Sequence, residues 1–303
     1  MTPNIHLSDE VAAALADGQA VVALESTLIT HGLPYPLNVE TALAMEHAVR
    51  DAGAIPATVA VLKGKLTVGI GEAEVERLGT LAGDSSVRKC SRRDLPIAIG
   101  LGEDGATTVA GTMIVAHLAG VRVFATGGIG GVHRGHPFDV SADLLELGRT
   151  PVAVVSAGAK SILDLPLTLE VLETQGVPVI GYQTDTLPAF YSRSSGLPVD
   201  VRVDTPQQAA QIIAAAATLN ATHGFLIGVP VPAADELDEQ TAERAIRQAT
   251  EEAERQGIVG RAVTPFVLAR VAELTGDESR RANRALLVNN AGVGAQIALA
   301  LAN

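Results

Sequence analysis

The runs ATGGIGGVHRG (125–135), HPFDVSADLLEL (136–147) and PVAVVSAGAKSILD (151–164) decide how this chain is read. An apolar run at Val121–Phe124 empties into a glycine turn built from Gly127, Gly128, Gly130 and Gly131, which carries His133 and Arg134. Asp139, Ser141 and Asp143 stand at the mouth of a helical pattern. A second apolar run, Val152–Val155, then delivers Lys160 inside the small-residue string Ser156-Ala157-Gly158-Ala159. Buried β runs whose exits carry a glycine loop, carboxylates and a lysine fit an open α/β sheet, where ligands sit outside the carboxyl ends of the strands.

Lys160 is informative because lysine is scarce. Of 22 basic residues only four are lysines: Lys63, Lys65, Lys89 and Lys160. A lysine among Ala and Gly can be held neutral by desolvation and attack a carbonyl carbon, which arginine cannot do. The plain alternative is a helix N-terminal residue with its ammonium in water. Glu25 offers a similar choice. It follows the strand run Ala20–Leu24, where a carboxylate is placed for proton transfer or simply to cap a neighbouring loop.

Composition narrows the classes. With 47% apolar and 18% charged residues, 303 residues can bury a sizeable core, while 3% aromatics leave that core to Val, Ile, Leu and Ala, as parallel strands buried on both faces require. A net charge of −12 opposes nucleic acid or an anionic membrane as the main partner. A single cysteine, Cys90, allows no intrachain disulfide and suits a reducing compartment. The N-terminal MTPNIHLSDEV lacks a basic and apolar leader pattern, and the apolar runs are interrupted short of a membrane span. The expectation is a cytoplasmic protein forming a single α/β domain over 1–303, an α/β/α sandwich around a largely parallel sheet.

Along the chain, Ser8 caps a short helix, and Asn38 is expected to cap a helix over 39–52 after a loop. Residues 57–69 read as a hairpin around Lys63-Gly64-Lys65. SVRKCSRRDLP holds the one basic cluster, Arg88, Lys89, Arg92 and Arg93, an anion site if not a solvated face. Ser91 and Asp94 resemble a capping box. Residues 105–119 read as one buried helix with His117 in the core, and 184–199 as a lid or interface arm holding Phe190, Tyr191 and Arg193. Asn289-Asn290-Ala291-Gly292 reads as a break in the last helix. Asp139 and Asp143 either share a helical face or are separated by Ser141 as cap. The glycine turn fails the G-x-G-x-x-G dinucleotide pattern, and no phosphate-loop or zinc spacing occurs.

Taken together, ALEST (23–27), HGLPYPLN (31–38), SRRDLP (91–96), GATTVAGTM (105–113), TGGIGGVHRG (126–135), FDVSADL (138–144), SAGAKSILD (156–164), GYQTD (181–185) and NNAGVGAQIA (289–298) resemble the pseudouridine-5′-phosphate glycosidase family. The resemblance implies reversible C–C cleavage of pseudouridine 5′-phosphate to uracil and ribose 5-phosphate by a Mn²⁺-using homotrimer. By the same resemblance Lys160 matches the nucleophile, Glu25 the proton donor and Asp139 a metal ligand. Lys89, Val109 and Ser141-Ala142-Asp143 match substrate-contacting positions, and His133 and Asn289 lie in matching motifs. A Schiff-base aldolase on another sugar phosphate would use the same lysine and anion site. A non-catalytic sugar-phosphate sensor would leave Glu25 and Lys160 unexplained.

Overall fold

The computed structural model describes residues 5–258, 260 and 263–302. The chain opens with β1 (Ile5–Leu7), α1 (Asp9–Ala16), β2 (Val21–Glu25), a π-helical turn at Leu28–Gly32 and α2 (Leu37–Asp51). There follow β3 (Ile55–Leu62), β4 (Lys65–Val68), α3 (Glu72–Thr80), β5 (Val87–Cys90), α4 (Leu95–Leu101), β6 (Asp104–Thr107) and α5 (Val109–Ala119). The middle of the chain forms β7 (Val123–Ala125), β8 (Val132–His133), β9 (His136–Val140), α6 (Ala142–Leu147), β10 (Ala153–Ser156), β11 (Leu163–Asp164) and α7 (Leu165–Thr174). Next come β12 (Val179–Tyr182), β13 (Val201–Val203), α8 (Pro206–Thr218) and β14 (Phe225–Gly228), and the helices α9 (Glu239–Arg255), α10 (Val263–Leu274) and α11 (Glu278–Ala302) close the chain.

Among the described residues, eleven strands make one sheet, ordered β1-β4-β3-β2-β7-β10-β14-β12-β13, with β6 and β5 continuing from β3. All its pairings are parallel except β3 with β4 and β3 with β6. The fold is therefore the α/β type with a largely parallel sheet that the apolar runs predict. β2, β7, β10, β12 and β14 are buried along their whole length, the pattern of strands covered on both faces. From β2 the chain moves to β3 on one side, whereas β7 and β10 lie on the other. The strand order thus reverses between β2 and β7, where such sheets open a crevice.

Helix α11 has the length and composition to cross a membrane, but here it packs across the sheet against β2, β7 and β10 and beside α2 and α8. Gly294 lets it approach closely, since a Cβ there would stand 3.2 Å from Ala125.

Several local expectations change. Residues 105–119 are not one helix: Asp104–Thr107 pairs with β3 and β5, and Thr108 caps α5 by accepting from the Gly111 N–H. The β-branched pair Thr107-Thr108 favours the extended entry. His117 lies exposed on α5 rather than in the core. Asn38 sits inside α2, where its amide donates to the Ile29 and Gly79 carbonyls. Only half of the capping box forms, the Asp94 carboxylate accepting from the Ser91 N–H. The hairpin is as expected, with Lys63 and Gly64 both at positive φ between paired Leu62 and Lys65. A second, three-stranded antiparallel sheet, β11-β8-β9, was not anticipated and carries the segment from His133 to Val140.

Candidate active site

Three neighbouring parallel strands set the site. Leu24 of β2 pairs with Ala125 of β7, and Ala125 pairs with Val155 of β10. The next residue on each strand, Glu25, Thr126 and Ser156, therefore falls in one row at the carboxyl edge. The Thr126 hydroxyl donates to Glu25 Oε1. The Thr126 N–H donates to the Val155 carbonyl at 3.0 Å, and its own carbonyl accepts from Asn290 Nδ2 of α11 at 2.8 Å. Glu25 is 5% exposed. Burial pushes its carboxyl above the usual range, and the Asp143 charge acts the same way, while Lys160, the Thr126 hydroxyl and Lys89 oppose the rise. Glu25, Lys160, Lys89 and Asp143 thus share one electrostatic neighbourhood.

The turn that presents Lys160 is tied to the glycine turn by the N–H of Ala157 to the Gly127 carbonyl (2.9 Å), of Ile129 to Gly158 (3.0 Å) and of Lys160 to Ile129 (3.0 Å). Gly158 has φ +81°, and a Cβ there would collide with the Pro188 carbonyl. Beyond Lys160, the Arg134 guanidinium donates to the Ser161 and Leu163 carbonyls, each at 3.1 Å, and pairs with Glu243 of α9 at 2.6 Å. The segment 184–199 packs over this turn. The Phe190 N–H donates to the Ala157 carbonyl at 3.0 Å, and the Leu237 N–H to the Tyr191 carbonyl at 3.0 Å. Phe190 and Tyr191 are buried and meet edge to face at 4.8 Å.

Of the two readings of the acidic pair, separation by Ser141 is realised. Ser141 caps α6, Asp143 lies in its first turn, and Asp139 lies outside on β9. Asp143 is buried, and both of its oxygens are engaged: Oδ1 accepts from the Ala110 N–H at 2.9 Å and Oδ2 from the Gly130 N–H at 2.8 Å. It clasps the first turn of α5 to the glycine turn. Val109 is buried at the start of α5 and Ala142 is exposed at the start of α6.

In the basic cluster, Arg88 is paired with Glu103, and Arg92 donates two 2.6 Å bonds to the buried Glu146. Arg93 is exposed. Lys89, half-buried on β5, is the member of this cluster that acts on Glu25. It lines a cavity of 810 Å³ together with Thr30, His31, Tyr191, Ser279 and Asn283. Sequence reasoning did not single out His31, Ser279 or Asn283. His31 lay in the quoted motif HGLPYPLN, whereas nothing marks Ser279 or Asn283 until α11 is laid against α10.

His133 is half-buried on β8. Burial pushes its imidazole below the ordinary histidine value and neighbouring His136 adds to this, against the opposing charge of Asp139. All three line a second cavity, of 450 Å³, facing α9 and α10. Among the described residues no cluster of three or more His, Cys, Asp or Glu stands ready for a metal. Asn289 is half-buried on α11 and reaches the chain just past the carboxyl end of β14. Its amide donates to the Pro230 carbonyl at 3.4 Å and borders an outer groove with Arg281 and Arg284. α11 runs unbroken through 289–292, and one residue along a helix turns the side chain by about 100°, so Asn290 is the amide that faces Thr126.

The chain is similar to known proteins over its whole length. The sequence model of indigoidine synthase A-like proteins matches residues 10–300. A Geobacillus kaustophilus protein named pseudouridine-5′-phosphate glycosidase is 56% identical, covering 98% of this chain and 99% of that one. A Herpetosiphon aurantiacus protein of the same name is 57% identical, covering 98% of both. Among solved structures, the prealnumycin C-glycosynthase AlnA in complex with ribulose 5-phosphate superposes with a TM-score of 0.89 at 44% identity, covering 98% of this chain and 97% of that one. An indigoidine synthase A-like protein from Thermotoga maritima superposes with a TM-score of 0.90 at 33% identity, covering 100% of this chain and 98% of that one.

Proposed function

The chain belongs to the indigoidine synthase A-like family and, within it, to the pseudouridine-5′-phosphate glycosidases, and from that premise we propose that it reversibly cleaves pseudouridine 5′-phosphate to uracil and ribose 5-phosphate. The observation that carries the reading is that Glu25 at the end of β2 and Lys160 beyond β10, the two strands flanking β7, act on one another, with Lys89 acting on the same carboxyl. The ribulose 5-phosphate held by the C-glycosynthase neighbour supports a sugar 5-phosphate as the shared chemistry.

A carbon leaving group has no glycosidic oxygen to protonate, so the usual two-carboxylate plan does not serve. In the proposed route the lone pair of Lys160 Nζ attacks C1′, the C1′–O4′ bond breaks, and O4′ takes a proton from Glu25. The nitrogen lone pair then expels uracil. The C1′–C5 bond breaks as its electron pair leaves with the base, and C5 takes a proton from Glu25 once that group has been recharged by the amine. Water hydrolyses the resulting iminium to ribose 5-phosphate and frees Lys160. A carboxyl whose proton affinity is raised by burial suits a group that gives up a proton twice. Lys89 binds the phosphate as a point charge, with backbone N–H groups of the glycine turn beside it.

Mn²⁺ belongs to the proposal. A single exposed carboxylate, Asp139, suits a hard cation that keeps most of its waters. Asp139 would hold the ion, which supplies Lewis-acid charge when bound. A homotrimer and a cytoplasmic, catabolic role complete the reading. Phe138 supports self-association, being 99% exposed on β9.

The test is chromatography of pseudouridine 5′-phosphate incubated with protein and Mn²⁺, beside unphosphorylated pseudouridine and uridine 5′-phosphate. Uracil should come from pseudouridine 5′-phosphate alone, and Lys160→Ala should abolish its release while remaining folded. Full activity in that variant overturns the covalent route, and no uracil from the folded wild type overturns the substrate.

A further inference from the structure

We infer that Thr126, held in place by Asn290, is a positioning residue that fixes the carboxyl of Glu25 between the strand ends and governs its proton affinity during turnover. The inference rests on the reading of Glu25 as the proton carrier. Its basis is a chain of contacts independent of that reading. Asn290 is wholly buried on α11 and donates to the Thr126 carbonyl at 2.8 Å and the Gly127 carbonyl at 3.5 Å. Thr126 is also wholly buried, and its N–H is committed to β10. Its backbone is therefore held on both sides, and the hydroxyl is directed at Glu25 Oε1. No arrangement of this kind is needed to complete the sheet, since Ala125 already satisfies the β2–β7 register.

The physical consequence is specific. A carboxyl with one oxygen bound by a fixed hydroxyl cannot rotate freely, so its other oxygen keeps a constant orientation for proton transfer. A hydroxyl donating to a carboxylate favours the charged form and holds down a proton affinity that burial raises. The charged groups acting on Glu25 are Lys160, Lys89 and Asp143. None of them is altered by replacing Thr126, so the contribution of this one bond is separable from theirs.

Thr126→Val keeps the shape and removes the donor, while Thr126→Ser keeps the donor. The experiment is the pH–rate profile of uracil release from pseudouridine 5′-phosphate for the wild type, both variants and Glu25→Gln. In Thr126→Val the limb governed by Glu25 moves to higher pH by about one unit, a tenfold change in proton affinity, and kcat falls more than KM rises. Thr126→Ser restores the limb. A wild-type limb in Thr126→Val overturns the inference, whatever the size of its rate loss. A limb that persists in Glu25→Gln overturns the assignment of Glu25 itself, and the inference with it. Should the valine variant not fold, Thr126→Ala removes the same donor without adding bulk and is held to the same outcomes.

Discussion

Asp143→Asn separates two roles for a residue that resemblance alone puts against the substrate. In the structure both carboxylate oxygens are spent on backbone N–H groups, Ala110 at 2.9 Å and Gly130 at 2.8 Å, in a buried setting. Asparagine keeps one acceptor and turns an NH₂ towards the other N–H. One charge-assisted bond becomes a neutral one, and one buried donor loses its partner. The first change costs about 1 kcal/mol and the second about 1–3 kcal/mol, so the variant should lose about 2–4 kcal/mol. An unfolding entropy near 2.1 cal/mol/K per residue amounts to roughly 0.6 kcal/mol/K over 303 residues, which converts the loss to a fall in Tm of about 3–6 °C. The assay is a thermal melt of metal-free, substrate-free protein, with Asp139→Asn as the exposed-carboxylate control, expected within about 1 °C of wild type. An Asp143→Asn melt that coincides with wild type refutes the clasp and returns the carboxylate to the substrate.

Three further outcomes follow from the same geometry. Gly158→Ala places a Cβ against the Pro188 carbonyl at a φ of +81°; the Lys160 turn must shift, and kcat for uracil release should fall more than tenfold while circular dichroism stays native. Arg92→Met leaves the buried Glu146 without its guanidinium partner, so stability should drop by about 1–3 kcal/mol in denaturant melts. KM should be unchanged because Arg92 is committed to Glu146 and not to phosphate. Glu25 has a raised folded value, so the folded state binds more protons than the unfolded one above the ordinary carboxylate range, and stability falls as pH rises through that window. Glu25→Gln should therefore gain in Tm relative to wild type as pH climbs from about 4 to neutrality; a constant difference across that range would contradict the burial argument.

Much of this architecture was legible because the central strands β2, β7, β10 and β14 are apolar on both faces and run out into small or polar residues. Glu25 and Lys160 stood out as ionisable groups at such exits. What stayed hidden depended on rotation and on partners remote in sequence. Nothing local tells that Asp143 spends both oxygens on Ala110 and Gly130, or that Arg92 is claimed by Glu146. Asn289 and Asn290 are indistinguishable in sequence, and a helical pattern interrupted by Asn-Asn-Ala-Gly reads as a break. Packing of α11 against the sheet overrides that local signal, and it is the phase of the helix that selects Asn290. The short strand β6 reads as part of a helix because its Gly-Ala-Thr sequence has no strong preference of its own; pairing with β3 and β5 decides it.

The position of α11 at the end of the chain has a consequence for biosynthesis. Glu25, Thr126 and Lys160 are all translated well before Asn290, yet the strand end between the two ionisable groups is fastened only when that last helix docks. A chain stopped between residues 160 and 290 carries all three side chains but lacks the amide that holds Thr126. Such a product would hold Glu25 beside a Thr126 whose carbonyl is unfastened, so the carboxyl takes up its set orientation only once α11 has docked.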